Sequence, residues 1–126
     1  VMAAVTIEPI KGKQIIFANT HLDLKPENRI LQAKAIVDYL GDKESDIIFC
    51  GDLNSTPEEE AIKILETYLT RSSIPNGLSF PNKNPDREID YLMYKTASHL
   101  KVTNHKIINE TYASDHLPVL VEFVLQ

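Results

Sequence analysis

The residues best placed for chemistry lie at the end of an apolar run near the middle of the chain. Ile47–Cys50 is uninterrupted and apolar, and it leads directly into Gly51-Asp52-Leu53-Asn54. A continuous run, unlike an alternating one, favours a strand covered on both faces. Asp52 and Asn54 are two residues apart, so their side chains point the same way in an extended backbone. A carboxylate and an amide there could hold a phosphate, a metal ion and a water, although an Asp/Asn-rich turn is a common structural alternative.

Polar groups of the same kind flank three other predicted strands. They are found in Asn19-Thr20-His21-Leu22-Asp23, Ile89-Asp90-Tyr91 and Ser114-Asp115-His116-Leu117-Pro118. Each stretch alone is weak evidence, because a single His at a strand end is most often a structural residue. Four such stretches in one small domain are hard to explain as turn chemistry, so the sequence predicts that they meet at one edge of a sheet.

The remaining patterns predict the elements that position these groups. We expect strands at 1–10, 14–21, 46–50, 89–94, 100–108 and 117–125. Asn28–Leu40 has apolar residues at three- and four-residue spacing, which predicts an amphipathic helix that stops at Gly41. A second helix is expected to start at Ser55-Thr56-Pro57 and to include Leu69 in its apolar face. Arg71–Glu88 is predicted to be a loop.

This order of elements, β-β-α-β-α-β-β-β, indicates an α/β fold in a single domain over residues 1–126. We expect one layered, mixed β-sheet with helices on one face. Hydrophobic residues make up 43% of the chain and charged residues 25%, which is typical of a globular fold with a real core.

The net charge of −5 argues against broad electrostatic attachment to nucleic acid or anionic lipid. It leaves open a nuclease whose groove is locally basic. Cys50 is the single cysteine, so no disulfide can form within one chain and the compartment stays undetermined. No apolar run approaches the ~20 residues that a membrane-spanning helix requires.

Together the four motifs resemble the signatures of the endonuclease/exonuclease/phosphatase superfamily, the DNase I-like and exonuclease III-like metal-dependent phosphoesterases. The matching stretches are Thr20-His21-Leu22-Asp23, Gly51-Asp52-Leu53-Asn54, Ile89-Asp90-Tyr91 and Ser114-Asp115-His116. Arg29 and Gln32 in the first predicted helix match a further pattern of the family. The resemblance spans residues 15–125 and implies a phosphodiesterase, nuclease or phosphatase that uses Mg²⁺ or Mn²⁺.

The resemblance implies a catalytic role for five of these residues. His116 would contact the scissile phosphate or the attacking water, and Asp90 would hold the tautomer of its imidazole. Asp52 would orient or deprotonate water, and Asn54 would donate its amide to a phosphate oxygen. His21 would bind the phosphate or assist the leaving group.

The metal ligands follow from the same resemblance. Asp115 would ligate the ion through a carboxylate oxygen, as Mg²⁺ and Mn²⁺ prefer. In a two-metal description, Asp52 and Asn54 would ligate the second ion. The sequence leaves open whether one or two ions act, and whether His116 or Asp52 is the general base.

Three further residues are expected to support the site without taking part in the chemistry. They are Asp23, Arg29 and Tyr91. For Arg29, a solvated helix face and a role in pinning a loop are equally good interpretations.

The family fold is a four-layer α/β sandwich built from two similar halves, and this sequence matches only its C-terminal half. In the family, the first half supplies an Asn, the Glu that is the principal metal ligand, and the acid that pairs with the residue matching His21. The chain also begins within a strand pattern, Val1–Ile7, which favours a fragment. We therefore expect weak metal binding and low or absent activity from these 126 residues alone.

The same reasoning predicts an exposed apolar sheet face, through which the fragment would pair with its missing half or with itself. The alternative to an enzyme is a catalytically inactive binding or scaffolding fragment that retains the fold. The substrate class, whether nucleic acid, phospholipid or small phosphoester, stays open. The few basic and aromatic residues of the Arg71–Glu88 loop favour an undefined phosphodiester or phosphomonoester over an abasic-site DNA substrate.

Overall fold

The computed structural model describes residues 1–72, 75 and 77–126. Its described elements, in chain order, are β1 (Met2–Ile10), β2 (Lys13–His21), α1 (Pro26–Gly41), β3 (Asp46–Asp52), α2 (Glu60–Leu65), β4 (Leu69–Arg71), β5 (Asp90–Lys95), β6 (Leu100–Ile107) and β7 (Val119–Leu125). The fold is therefore α/β, as the sequence predicts.

The strands form two sheets in the described part of the chain. A five-stranded sheet has the order β1-β2-β3-β5-β4, and a two-stranded sheet pairs β6 with β7. The larger sheet is mixed, because β2 and β3 are parallel while its other neighbouring strands are antiparallel. The expectation of a mixed sheet is confirmed, but the expectation of one sheet is wrong. The last two strands pack across a face of the larger sheet instead of extending its edge.

The strand register brings three of the polar strand ends into one row. His21 is the partner of Asp52 in the parallel β2–β3 pairing. Asp52 is in turn the partner of Asp90 in the antiparallel β3–β5 pairing. Neighbouring strands in a sheet lie about 4.8 Å apart, so this register alone places the three side chains next to one another.

The larger sheet is covered on one face by both helices. Their apolar residues form one buried cluster with alternate residues of the central strands, including Ala18, Ile36, Leu40, Ile47, Phe49, Ile62, Leu65 and Met93. Helices on one face of the sheet are thus confirmed. No helix in the described ranges is long and apolar enough to cross a membrane.

The second face of the larger sheet is covered only in part. Ile15 and Ile48 pack beneath Leu100 of β6, with Phe123 and Leu125 of β7 at the border of this smaller cluster. The β1 side of the same face is open. Val5 and Phe17, which are register partners, and nearby Ile7 are exposed there.

Gly51 is required where β3 runs close beside Thr20 of β2. Its φ of +150° is a conformation that side chains rarely adopt. A Cβ atom at this position would lie 1.8 Å from the carbonyl oxygen of Thr20. The glycine therefore allows the two backbones to approach directly before Asp52.

The region after Asn54 departs from the sequence-based expectation. The helix begins at Glu60 and not at Pro57, because Thr56 and Glu59 close a turn first. In that turn the Glu59 backbone N–H donates to the Thr56 carbonyl, while the Thr56 N–H donates to the Glu59 carboxylate. The expected helix start at Ser55-Thr56-Pro57 is therefore wrong, and no side-chain hydrogen bond caps the helix.

Leu69 belongs to a strand and not to the second helix. It pairs with Lys95 in the short antiparallel β4–β5 ladder, where it is buried. The predicted loop over 71–88 includes residues 73, 74 and 76, which lie outside the described residues. Within its described part, Phe80 and Arg87 form an isolated antiparallel bridge that brings the segment back toward β5.

Candidate active site

His116 and Asp90 form the best-defined pair at the sheet edge. Nδ1 of His116 lies 2.8 Å from Oδ2 of Asp90. An ionised carboxylate can only accept hydrogen bonds, so the imidazole donates from Nδ1 and presents Nε2 to its other side. The two residues come from different elements, since Asp90 begins β5 and His116 precedes β7.

Asp52 lies between the two histidines. Its Oδ2 atom is 3.3 Å from Nε2 of His21 and 3.9 Å from Nε2 of His116. Its Oδ1 atom accepts a hydrogen bond from the backbone N–H of Asn54 at 2.9 Å. The predicted cluster of His21, Asp52, Asp90 and His116 is therefore assembled in the structure.

Asn54 is held in a left-handed backbone conformation with φ of 47°, which Asn tolerates better than most residues. Its side-chain Nδ2 donates to the Leu22 carbonyl at 2.9 Å, and the Leu22 N–H donates to the Asp52 carbonyl at 3.0 Å. One of the two amide hydrogens of Asn54 is thus used to join the β2 and β3 ends.

The environment of His116 changes its acidity. Burial of the ring disfavours its charged form, but the hydrogen bond to Asp90 and the negative charges of Asp90, Asp52 and Asp115 outweigh burial and raise the pKa of His116. The charged imidazolium form of His116 therefore persists to a higher pH than it does in a free histidine.

The acids and histidines that could hold a metal ion meet at the same place. In the described part of the chain, Asp52, Asp90 and His116 form a group whose ligand atoms all lie within 4.8 Å of one another. Asp115, which the resemblance predicts to be a metal ligand, is not in that group and is exposed. Its charge nevertheless acts on His116.

Asp23 organises the turn that follows β2. Its carboxylate accepts hydrogen bonds from the backbone N–H of Lys25 at 2.8 Å and from Nδ2 of Asn28 at 3.1 Å. These hydrogen bonds lower the pKa of Asp23. The Asp23 N–H donates to Oε1 of Gln32, so α1 holds this turn directly.

Arg29 pins two loops and does not lie on a solvated helix face. It is buried, its Nη1 donates to the Leu24 carbonyl at 2.7 Å, and its Nη2 donates to Oε1 of Glu59. Since Glu59 also accepts from Thr56, the ion pair ties the segment after His21 to the segment after Asn54.

Tyr91 supports the base of the site from the helix-covered face. Its buried hydroxyl lies 2.7 Å from the Ser55 carbonyl and 2.8 Å from the Glu88 carbonyl. Burial, together with the negative charge of Glu88, raises the pKa of this phenol, so it remains a neutral donor.

Ser79 and Phe80 are site neighbours that the sequence analysis missed. The Ser79 hydroxyl donates to Oδ2 of Asp90 at 2.5 Å. The Phe80 ring packs on the His116 ring with centroids 4.7 Å apart. The only signal in the sequence was an apolar-polar-aromatic triplet inside a predicted loop, and no local pattern distinguishes such a triplet from other loop residues.

Comparison with protein-family models and with curated proteins gives no match. Solved structures do match. An endonuclease/exonuclease/phosphatase family protein from Bacteroides thetaiotaomicron has a TM-score of 0.79 at 21% identity, over 94% of this chain and 52% of that chain. The human Nocturnin catalytic domain with bound sulfate has a TM-score of 0.76 at 22% identity, over 99% and 53%.

A mannosyl-6-phosphatase from Bacteroides thetaiotaomicron also matches, with a TM-score of 0.73 at 22% identity, over 90% of this chain and 52% of that chain. The chain therefore has the fold of endonuclease/exonuclease/phosphatase proteins, and it spans about half the length of these solved structures. The DNase I-like α/β architecture implied by the sequence motifs is confirmed.

Proposed function

We propose that this chain carries part of an active site for divalent-metal-dependent hydrolysis of phosphate esters. The observation that carries the proposal is the arrangement of His116, which Asp90 holds through Nδ1 while Nε2 faces Asp52. An imidazole fixed on one nitrogen and free to exchange a proton on the other suits acid–base or electrostatic work at a phosphate. The solved proteins of the same fold, which include a phosphatase, support this reaction class.

The direction of the His116 pKa shift favours one division of labour between the two candidate bases. A charged imidazole would neutralise a non-bridging phosphate oxygen and donate a hydrogen bond to it. Asp52, whose Oδ2 atom lies on the other side of this imidazole, would then orient and deprotonate water. In this scheme His116 is the electrostatic partner and Asp52 is the general base.

His21 and Asn54 border the same space and complete the phosphate contacts of this chain. Most of the His21 side chain is exposed beside Asp52, which would let it reach a leaving group or a phosphate oxygen. Asn54 would donate its second amide hydrogen to phosphate, because the Leu22 carbonyl occupies the first. Both assignments extend the family resemblance residue by residue.

The carboxylate oxygens of this site suit a hard divalent cation, although these residues alone supply few ligands. Oδ2 of Asp90 already accepts from His116 and Ser79, and Oδ1 of Asp52 accepts from the Asn54 N–H, so one oxygen of each carboxylate in the three-residue group is already in use. Asp115 would hold Mg²⁺ or Mn²⁺ through a carboxylate oxygen, and in a two-metal description Asp52 and Asn54 would hold the second ion. When bound, such an ion neutralises negative charge on the phosphate and lowers the pKa of water.

We also propose that full activity requires the remainder of the domain seen in the matched structures. The chain spans about half of their length, and Val5, Ile7 and Phe17 leave one face of the larger sheet open. The missing part would cover that face and supply further metal ligands. Pairing of two copies through the same face is the alternative, and a clean monomer by light scattering at high protein concentration would contradict it.

The test is hydrolysis of bis-(p-nitrophenyl) phosphate and of p-nitrophenyl phosphate with Mg²⁺, with Mn²⁺ and with EDTA. It compares the 126-residue chain with a longer protein from the same reading frame, each with and without His116→Ala. His99→Ala is the matched control, because His99 also pairs with an aspartate, Asp46, but at the opposite end of β3.

Metal-dependent hydrolysis by the longer protein, lost in His116→Ala and kept in His99→Ala, would support the proposal. Hydrolysis by the 126-residue chain would show that its own ligands are sufficient and that the incomplete-site expectation is wrong. No hydrolysis of either ester by either form would favour the inactive binding or scaffolding fragment. The two esters separate phosphodiesterase from phosphomonoesterase activity.

A further inference from the structure

Ser79 contacts the Asp90–His116 pair although it lies in a loop, eleven residues before Asp90. Its side chain is fully buried. Its hydroxyl donates to Oδ2 of Asp90, the same oxygen that accepts the hydrogen bond from Nδ1 of His116. One carboxylate oxygen therefore receives two hydrogen bonds, at 2.5 and 2.8 Å.

The backbone of Ser79 is fixed from both sides. Its N–H donates to the Arg87 carbonyl at 2.9 Å. Its own carbonyl accepts the N–H of Leu117 at 2.7 Å, next to His116 in the chain. Ser79 thus joins the segment that carries His116 to the segment that leads into Asp90.

The residue after Ser79 packs against the second member of the pair. The Phe80 ring lies at 47° to the His116 ring, and the guanidinium carbon of Arg87 is 5.0 Å from the Phe80 ring centroid. This tilted contact places the Phe80 ring against one side of the His116 ring. The Ser79-Phe80 dipeptide therefore meets Asp90 with one side chain and His116 with the other.

We propose that Ser79 is a positioning residue that fixes the Asp90 carboxylate so that His116 keeps its Nδ1–H hydrogen bond to Asp90 and its Nε2 atom toward Asp52. A carboxylate bonded only to His116 can rotate and exchange its two oxygens. A second, charge-assisted donor on Oδ2 selects one orientation, because rotation would break both hydrogen bonds together. The geometric role stands on this chain's contacts, whereas its catalytic consequence rests on the proposed phosphoesterase function.

The first readout needs no activity. Nitrogen-15 and proton NMR of the 126-residue chain at one alkaline pH, with EDTA present, reports which ring nitrogen of His116 carries the proton and whether the Nδ1 proton is protected from water. The variants are Ser79→Ala, which removes the hydroxyl, and Ser79→Thr, which restores one. Ser55→Ala is the matched control, since Ser55 is also fully buried but its hydroxyl has no hydrogen-bond partner among the described residues.

The expected result for Ser79→Ala is loss of the protected Nδ1 proton signal of His116 and a mixture of tautomers. Ser79→Thr would restore the signal at least in part, and Ser55→Ala would leave it unchanged. An unchanged signal in Ser79→Ala would overturn the proposal. Equal loss in Ser79→Ala and Ser55→Ala would also overturn it, because that result would mean a general loosening of the core.

Kinetics then test the consequence in whichever form hydrolyses the ester substrates. Ser79→Ala is expected to lower kcat by about 10-fold with KM nearly unchanged, as residues behind a functional group often do. A tautomer change without a kcat change would remove the catalytic consequence and leave the geometric role. Absence of hydrolysis in every form would count against the proposed function, while the NMR result would still decide the role of Ser79.

Discussion

Nδ1 of His116, in the turn before β7, lies 2.8 Å from Oδ2 of Asp90, the first residue of β5 and 26 residues earlier in the sequence. The contact exists because Asp90 is the last residue in the row His21, Asp52 and Asp90, and the turn before β7 passes over Asp90. Neither strand holds the pair alone. The placement of the turn before β7 over the start of β5 therefore determines the geometry of the candidate active site.

The first prediction concerns the carboxylate of this pair. Asp90→Asn should lower hydrolysis by about 10²- to 10⁴-fold in the active form, because the amide no longer fixes or charges the His116 ring. Asp46→Asn is the matched control. Oδ2 of Asp46 lies 3.2 Å from Nδ1 of His99, and this pair is at the opposite end of β3 from the site. The measurement is kcat/KM with Mg²⁺. Similar losses in both variants would mean that Asp90 acts through stability alone.

The second prediction concerns the glycine before Asp52. Gly51→Ala should cost about 3 to 5 kcal/mol of unfolding free energy, because its Cβ would meet the Thr20 carbonyl oxygen at 1.8 Å and its φ is +150°. Gly41→Ala is the control, since a Cβ at that position meets nothing within 4 Å. Urea unfolding of both variants makes the comparison. A cost below about 1 kcal/mol for Gly51→Ala would mean that β2 and β3 can separate without loss.

The sequence predicts the polar row well because its signals are local. An apolar run that ends in a polar motif defines the strand and its functional end at once, as in Ile47–Asn54. Parallel pairing of β2 with β3 then brings His21 beside Asp52 without further information. The motif residues are therefore found where the resemblance implies, although their roles remain predictions.

The rest depends on contacts between distant residues, which local patterns do not encode. The second helix is shortened by Glu59, whose carboxylate serves both the Thr56 N–H and Arg29. The strand over Leu69–Arg71 exists because β5 offers it an edge. Ser79 acquires its contact only after the loop folds back onto Asp90. In each case a tertiary partner overrides or supplies what propensity leaves open.

The third prediction follows from the unequal burial of the Arg29–Glu59 ion pair. The side chain of Arg29 is 7% exposed and that of Glu59 is 39% exposed. Glu59→Gln leaves a buried cation without its counter-charge and should cost about 3 kcal/mol. Arg29→Met leaves a carboxylate that water can reach, so its cost should be smaller, and the double variant should cost less than the sum of the two.

Urea unfolding of the two single variants and the double variant measures this coupling. The exposed Arg87–Asp86 pair provides the control, and Asp86→Asn should change stability by less than about 0.5 kcal/mol. Strict additivity of the Arg29 and Glu59 changes would show that the pair does not hold the two loops together.

The fourth prediction is that two histidines give the chain opposite responses to pH. Asp90 raises the pKa of His116 above its ordinary value of 6.5 against the effect of burial, whereas burial lowers the pKa of His105 below it. The folded state then binds more protons than the unfolded state at His116 and fewer at His105. By linkage, the His116 contribution is full below pH 6.5 and is lost as the pH rises through the folded pKa. The His105 contribution is full above pH 6.5 and is lost as the pH falls through its folded pKa.

Urea unfolding between about pH 5 and pH 9, with EDTA present, separates the two effects, because carboxylates stay largely ionised across this range. Relative to wild type, His116→Gln should lose stability mainly at the acidic end, by about 1 kcal/mol or less for a partly exposed pair. His105→Gln should instead reduce the acid sensitivity of the chain. A His116→Gln deficit that grows toward alkaline pH would contradict the assigned Asp90–His116 interaction, since only a neutral ring could then be the form that stabilises the fold.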